Sequence, residues 1–142
     1  MTKWFKRVLP LVAAVGTFVG ALVVTALAGC ATPNAGVDIQ GEVWYKERIA
    51  LPQDAVLTVE VKDVSLMDAP AVVLAQIERS GVSTPAPFQF LINRDQFESG
   101  HTYAIGAKIT LNDKLLFINT QAYNIDLGSS EPMSVLVQKV GR

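Results

Sequence analysis

The amino-acid sequence predicts an all-β domain, an antiparallel β-sandwich of about seven strands, preceded by a separate apolar N-terminal segment. Three observations predict it. Apolar and polar residues alternate with a period of two in run after run beyond residue 36. Turn-forming clusters separate these runs at short intervals. No stretch beyond residue 36 sustains a 3.6-residue period, and only residues 93–99 have room for a single helical turn. A small closed barrel is the alternative for the same strands.

The first strand is expected over residues 37–45 (VDIQGEVWY), with Val37, Ile39, Val43 and Tyr45 on one face and Asp38, Gln40, Glu42 and Trp44 on the other. Residues 56–64 (VLTVEVKDV) set Leu57, Val59 and Val61 against Thr58, Glu60 and Lys62. Residues 71–77, apolar at every position but Gln76, have the pattern of a short buried strand. In residues 87–93 (PFQFLIN), Phe88, Phe90 and Ile92 share a face. Residues 101–111 place Tyr103, Ile105, Ala107 and Ile109 opposite Ala104, Gly106, Lys108 and Thr110. A polar link, Asn112-Asp113-Lys114, then returns the chain into residues 115–120 (LLFINT) as a hairpin. Residues 133–140 (MSVLVQKV) supply the last strand. Turn signals at 51–54, 68–70, 85–87, 99–100 and 128–130 divide the runs.

The N-terminus has a different character. Lys3, Lys6 and Arg7 precede an uncharged stretch over residues 8–29, which ends in Leu27-Ala28-Gly29-Cys30. The stretch is long enough for a transmembrane helix. Its many small residues, the early Pro10 and the small residues at its end favour a cleavable signal peptide. The Leu-Ala-Gly-Cys quartet resembles the lipobox of bacterial lipoproteins, in which the thiol takes a diacylglyceryl group and the chain is cut before the cysteine. The chain is therefore expected to divide into a signal peptide (1–29), an acylated tether (30–36) and a sandwich domain (37–142). Two or three acyl chains make attachment effectively permanent where one does not. Ala31, rather than Asp, follows Cys30. By resemblance to the Gram-negative sorting rule, the protein is expected at the outer membrane, facing the periplasm. Six tether residues span at most ~20 Å, which holds the domain near the bilayer.

Charge narrows the function classes. The whole chain carries 12 basic and 13 acidic residues, but no acid precedes Asp38, so the part from Cys30 onward is mildly acidic. Without a basic cluster it lacks the footprint of a nucleic-acid binder. The mean hydropathy of +0.32 is high, and most of the excess belongs to the N-terminal segment. With one cysteine, no intramolecular disulfide can brace the domain.

Little in the sequence points to catalysis. His101 is the one histidine, so a Cys/His metal site is excluded and no metal is expected. Next to a Ser-Gly turn, His101 reads as a turn-adjacent or half-buried side chain. Asp63 and Asp68 lack the glycine and terminal glutamate of a calcium loop and read as turn and cap residues. There is neither a phosphate-binding glycine loop nor a nucleophile elbow. The chain is expected to be non-enzymatic and to need no cofactor beyond the lipid on Cys30. Trp44, opposite the apolar face of its strand, is the candidate partner contact, and packing under a loop or sheet edge is the other reading.

Residues 41–52 (GEVWYKERIALP) and 54–57 (DAVL), then 63–65 (DVS), 68–71 (DAPA), 87–88 (PF), 101–104 (HTYA) and 115–117 (LLF), occur in this order. Together they resemble the YbaY/YscW-type lipoproteins across nearly the whole domain. The resemblance implies a β-sandwich. It also implies either a pilotin-like chaperone of type III secretion that escorts a secretin-like envelope protein, or a general envelope lipoprotein of YbaY type. Two functions follow as expectations: a membrane-anchored protein-binding module, or an envelope structural, glycan-associated lipoprotein.

Overall fold

A computed structural model of the protein describes residues 36–141. Leu27, Ala28, Gly29 and Cys30 lie outside these residues, as does the tether up to residue 35. Among the described residues nine strands form two sheets. In chain order they are β1 (Val37–Trp44), β2 (Val56–Asp63), β3 (Val72–Ser80), β4 (Ala86–Ile92), β5 (Tyr103–Leu111), β6 (Lys114–Ile118), β7 (Tyr123–Asn124), β8 (Met133–Leu136) and β9 (Gln138–Lys139). A single 3-10 turn, Arg94–Gln96, interrupts the β4–β5 connection. The smaller sheet has the order β4-β1-β8, and the larger runs β3-β2-β5-β6-β9 with β7 also on β5. The all-β class and the sandwich expected from the sequence are what the chain adopts.

The core is the product of the alternation. Val37, Ile39 and Val43 of β1 are buried with Phe88, Phe90 and Ile92 of β4. Leu57, Val59 and Val61 of β2 join Ile105, Ala107 and Ile109 of β5 in the same cluster, closed by Phe117, Val135 and Val137. Register fixes how the smaller sheet fills: Ile39 opposes Phe90, and Gly41 opposes Phe88, so the missing side chain of one strand is matched by a large one on the next. Tyr45 stacks on Phe117 with ring centroids 4.7 Å apart, lining one side of this core with aromatic surface.

The β5–β6 hairpin turns on Asn112 and Asp113, both in the left-handed region at φ 50° and 64°. Such mirror-image turns match the right-handed twist of the flanking strands, and Asn and Asp are the non-glycine residues that tolerate them best.

Besides the short β7, which the sequence pattern does not announce, the chain departs from that pattern in three places. Strand β3, read from its apolar run as buried, is an edge strand with Val72 and Val73 at 63% and 45% exposure. Its pairing with β2 shifts at Val61/Lys62, a bulge of the kind that bends an edge. The last expected strand is two: β8 belongs to the smaller sheet and β9 to the larger. Between them Val137 is fully buried and donates its N–H to the Trp44 carbonyl at 2.9 Å. Finally, β8 runs parallel to β1, the one parallel pair among the described strands. A parallel partner this far along the chain leaves no local signature, because its long crossover contains the rest of the domain.

Candidate functional site

Trp44 ends β1 opposite Leu136 of β8. It is half-buried, and its indole Nε1 is enclosed with no hydrogen-bond partner. The Glu47 Oε2, three residues on, is enclosed in the same way. Both atoms lie next to the point where β8 hands over to β9.

A broader concavity lies along β1 itself. One cleft of about 490 Å³ is floored at Gly41 and Phe88 and rimmed by Gln40, Glu42, Gln89 and Ser134. Arg79 closes one side by reaching from β3 to donate from Nη1 to the Pro87 carbonyl at 2.7 Å. A second cleft of about 230 Å³ lies between the first half of β1 and residues 124–132, and shares Gln40, Pro132 and Met133 with the first. The Gln40 Nε2 donates to the Ser130 carbonyl at 3.1 Å at this junction. The second cleft exists because β8 meets β1 only from Gly41 onward. Asp38, Ile39 and Gln40 thus have β4 on one side and no strand on the other among the described residues. An open backbone edge beside a polar-rimmed trough can accept an extended segment by strand addition, with pockets for its side chains.

Gly41 makes this geometry possible. A Cβ there would sit 2.1 Å from the Met133 carbonyl oxygen, so only glycine lets β8 approach β1. A glycine inside an alternating strand is the one signal the sequence gives for such a close approach.

At the opposite end of β2 lies a compact polar cluster. The His101 Nδ1 is 2.6 Å from Asp63 Oδ2, and its Nε2 is 3.1 Å from Glu98 Oε2. The other oxygen of Asp63 accepts from the Ser65 N–H at 2.9 Å and the Ser65 hydroxyl at 2.6 Å. Ser65 Oγ in turn accepts from the Thr102 N–H at 2.8 Å, and the Glu98 N–H donates to the Tyr103 hydroxyl. The Ser65 and His101 hydrogen bonds hold the Asp63 carboxyl well below its usual range, at about 2. The bond to Asp63 pushes His101 upward, with the nearby Glu98 carboxylate adding to it. Histidine, aspartate and serine are all present, but their order is wrong for nucleophile activation. Both ring nitrogens face carboxylates, and the serine proton goes to Asp63. The cluster is a clamp between β2 and the loop entering β5.

Asp63 and Ser65 could be read locally as an Asx turn from their spacing. Their pairing with His101 could not, because 38 residues separate the partners. Asp68 lies exposed in the β2–β3 loop, away from the clamp's hydrogen bonds. Among the described residues no group of three or more His, Cys, Asp or Glu side chains is placed to hold a metal ion.

Comparison with known proteins places this architecture. The profile of the YscW family, described as "Type III secretion system lipoprotein chaperone (YscW)", matches residues 34–137. The uncharacterized lipoprotein YbaY of Escherichia coli (strain K12) is 42% identical over 83 residues, which are 57% of this chain and 44% of YbaY, so the match spans less than half of that relative. The structure of an alternative pilotin from the type II secretion system of Vibrio cholerae superposes with a TM-score of 0.67 at 35% identity, covering 74% of this chain and 97% of that one. With a matched profile over most of its length and a pilotin that it covers almost from end to end, the chain belongs to the YscW family.

Proposed function

We propose that this protein is a pilotin-like lipoprotein: acylated on Cys30, anchored in the outer membrane facing the periplasm, and binding a segment of a secretin-like envelope protein without catalysing a reaction. The observation that carries the reading is the 35% identity to a pilotin over 97% of that pilotin's chain. In this reading residues 1–29 are removed as a signal peptide through the Leu27-Ala28-Gly29-Cys30 motif, residues 30–36 tether the domain, and residues 37–142 form the binding module. The paired clefts along β1, with the open edge at Asp38, Ile39 and Gln40, are the surface that receives the partner. Trp44, half-buried at the far end of the same strand, contributes by holding the β1–β8 corner and offering its exposed edge.

The YbaY relative favours a second reading, a general envelope lipoprotein whose polar-rimmed cleft (Gln40, Glu42, Gln89, Ser134) takes glycan. A crosslinked pull-down of the acylated full chain from its own envelope separates the two. Recovery of a secretin, lost when that secretin's C-terminal segment is deleted, is the expected result. Recovery of peptidoglycan or lipopolysaccharide fragments without a protein partner would establish the second reading. The anchor has its own test: Cys30→Ala should release the folded domain from membranes, and complete membrane retention of that variant would overturn acylation.

A further inference from the structure

Eight large apolar side chains are exposed among the described residues: Ile49, Val64, Leu66, Met67, Val72, Val73, Leu91 and Val140. Six of them are grouped. Val64, Leu66 and Met67 lie in the β2–β3 loop, with Met67 at 96% exposure and Leu66 at 70%, and Val72 and Val73 open β3. Leu91, at 77% exposure, is the penultimate residue of β4.

These six share one end of the sandwich, and it is the end where β1 begins. Val37 pairs with Ile92 at the finish of β4. Asp63, the last residue of β2, pairs with Val72 at the start of β3 and Tyr103 at the start of β5. Residues 93–102 join β4 to β5 across the two sheets at this end, fixed to β2 by the His101–Asp63 contact. The opposite end is fixed independently by Arg79 bonding the Pro87 carbonyl. Leu91 lies directly against the start of β1, since a side chain at Gly36 would meet its Cδ1 at 2.7 Å.

We infer that this end of the sandwich is a second membrane contact, with Leu66 and Met67 of the β2–β3 loop seated in the headgroup–acyl boundary of the bilayer that holds the Cys30 anchor. The inference rests on the acylation of Cys30 proposed above. From Cys30 to Gly36 the chain spans at most ~20 Å, so the end carrying the apolar loop is the end held nearest the lipid. A lone exposed leucine needs no explanation, but a fully projecting Leu-Met pair flanked by three valines does. The charged groups around it are mixed: Asp38, Asp63, Asp68, Asp95 and Glu98 against Lys62, Arg94 and His101. Among the described residues no polybasic patch adjoins it to seek anionic headgroups. The contact is therefore apolar, indifferent to salt and served by zwitterionic lipid. Anchor and loop together fix the tilt of the domain, which the lipid tether alone leaves free.

The sole native cysteine is consumed by the anchor, so a cysteine introduced at position 67 can be labelled selectively. Acylated full-length protein carrying Met67→Cys with an environment-sensitive fluorophore is reconstituted into phosphatidylethanolamine–phosphatidylcholine vesicles. Ile49→Cys, exposed on the β1–β2 connection at the other end, serves as control. The expected result is a blue-shifted probe at position 67, quenched several-fold more by nitroxide-labelled lipid than the probe at 49, and unchanged in high salt. Equal aqueous emission at both positions in protein that floats with the vesicles would overturn the loop contact and leave the anchor standing. Shielding at position 67 that needs an added envelope protein and escapes the lipid nitroxide would make the loop a protein contact instead. Protein that does not float with the vesicles would overturn the anchor, and the inference with it.

Discussion

The imidazole of His101 stands between two carboxylates, 2.6 Å from Asp63 and 3.1 Å from Glu98, and so ties the end of β2 to the loop that enters β5. Its pKa is raised from 6.5, so its contribution to stability is complete below that value and is lost as pH rises through the folded-state pKa. Asp63 is lowered from 3.8 to about 2, so its contribution is present above 3.8 and is lost as pH falls toward 2. The clamp is strongest between these limits. Thermal melts from about pH 3 to pH 9 should show stability declining on both sides of this window. His101→Ala should flatten the alkaline side, and Asp63→Asn should flatten both. An unaltered pH profile in both variants would show that the clamp contributes nothing.

Gly41→Ala places a methyl group against backbone rather than against a side chain that can swing away. Loss of ~1–3 kcal/mol is expected, the range for overpacking a rigid site. The damage should be local to the β1–β8 pair, so hydrogen exchange at Val135 and Val137 should rise before that of the β2–β5 ladder. A variant as stable as the parent would mean that β8 can withdraw without penalty.

The Asn112–Asp113 turn is well chosen but not optimal. Asp113→Gly relieves a left-handed residue in a turn that favours Asn-Gly and should stabilise the domain by about 0.5 kcal/mol. Asp113→Val should cost ~1 kcal/mol or more, because a β-branched residue resists that conformation. Urea denaturation of the two variants checks the opposite signs.

Ser134 is exposed on the rim of the larger cleft. Ser134→Arg fills that trough without touching the core, so stability should stay within ~0.5 kcal/mol of the parent. Recovery of the secretin-like partner should fall at least tenfold in the pull-down. Undiminished recovery would move the docking surface away from β1.

Much of the fold was legible because a half-buried strand writes its burial into every second residue, as in β1, β2, β4 and β5. Strand β3 misled for the complementary reason: an apolar run signals burial only if something covers it, and Val72 and Val73 lie on an edge. The division of residues 133–139 was invisible, since the apolar alternation runs on across Val137 while the chain changes sheets. The binding surface was only faintly written. Gly41 hinted at a close approach, but the clefts arise from where β8 begins relative to β1, a relationship between residues about 90 apart. The His101 clamp likewise joins residues that no spacing rule connects.

The crossing at Val137 also governs the order of assembly. The β2–β3 and β5–β6 hairpins involve neighbouring stretches and can form as soon as those stretches exist. The β1–β8 ladder cannot, because it joins the first strand to the eighth, and pairings so distant in sequence form slowly. Until β8 and β9 arrive, one flank of β1 is bare and the two sheets lack the strand pair that bridges them. The strand made first is therefore completed last, and the domain has no finished smaller sheet until nearly all of its chain is available.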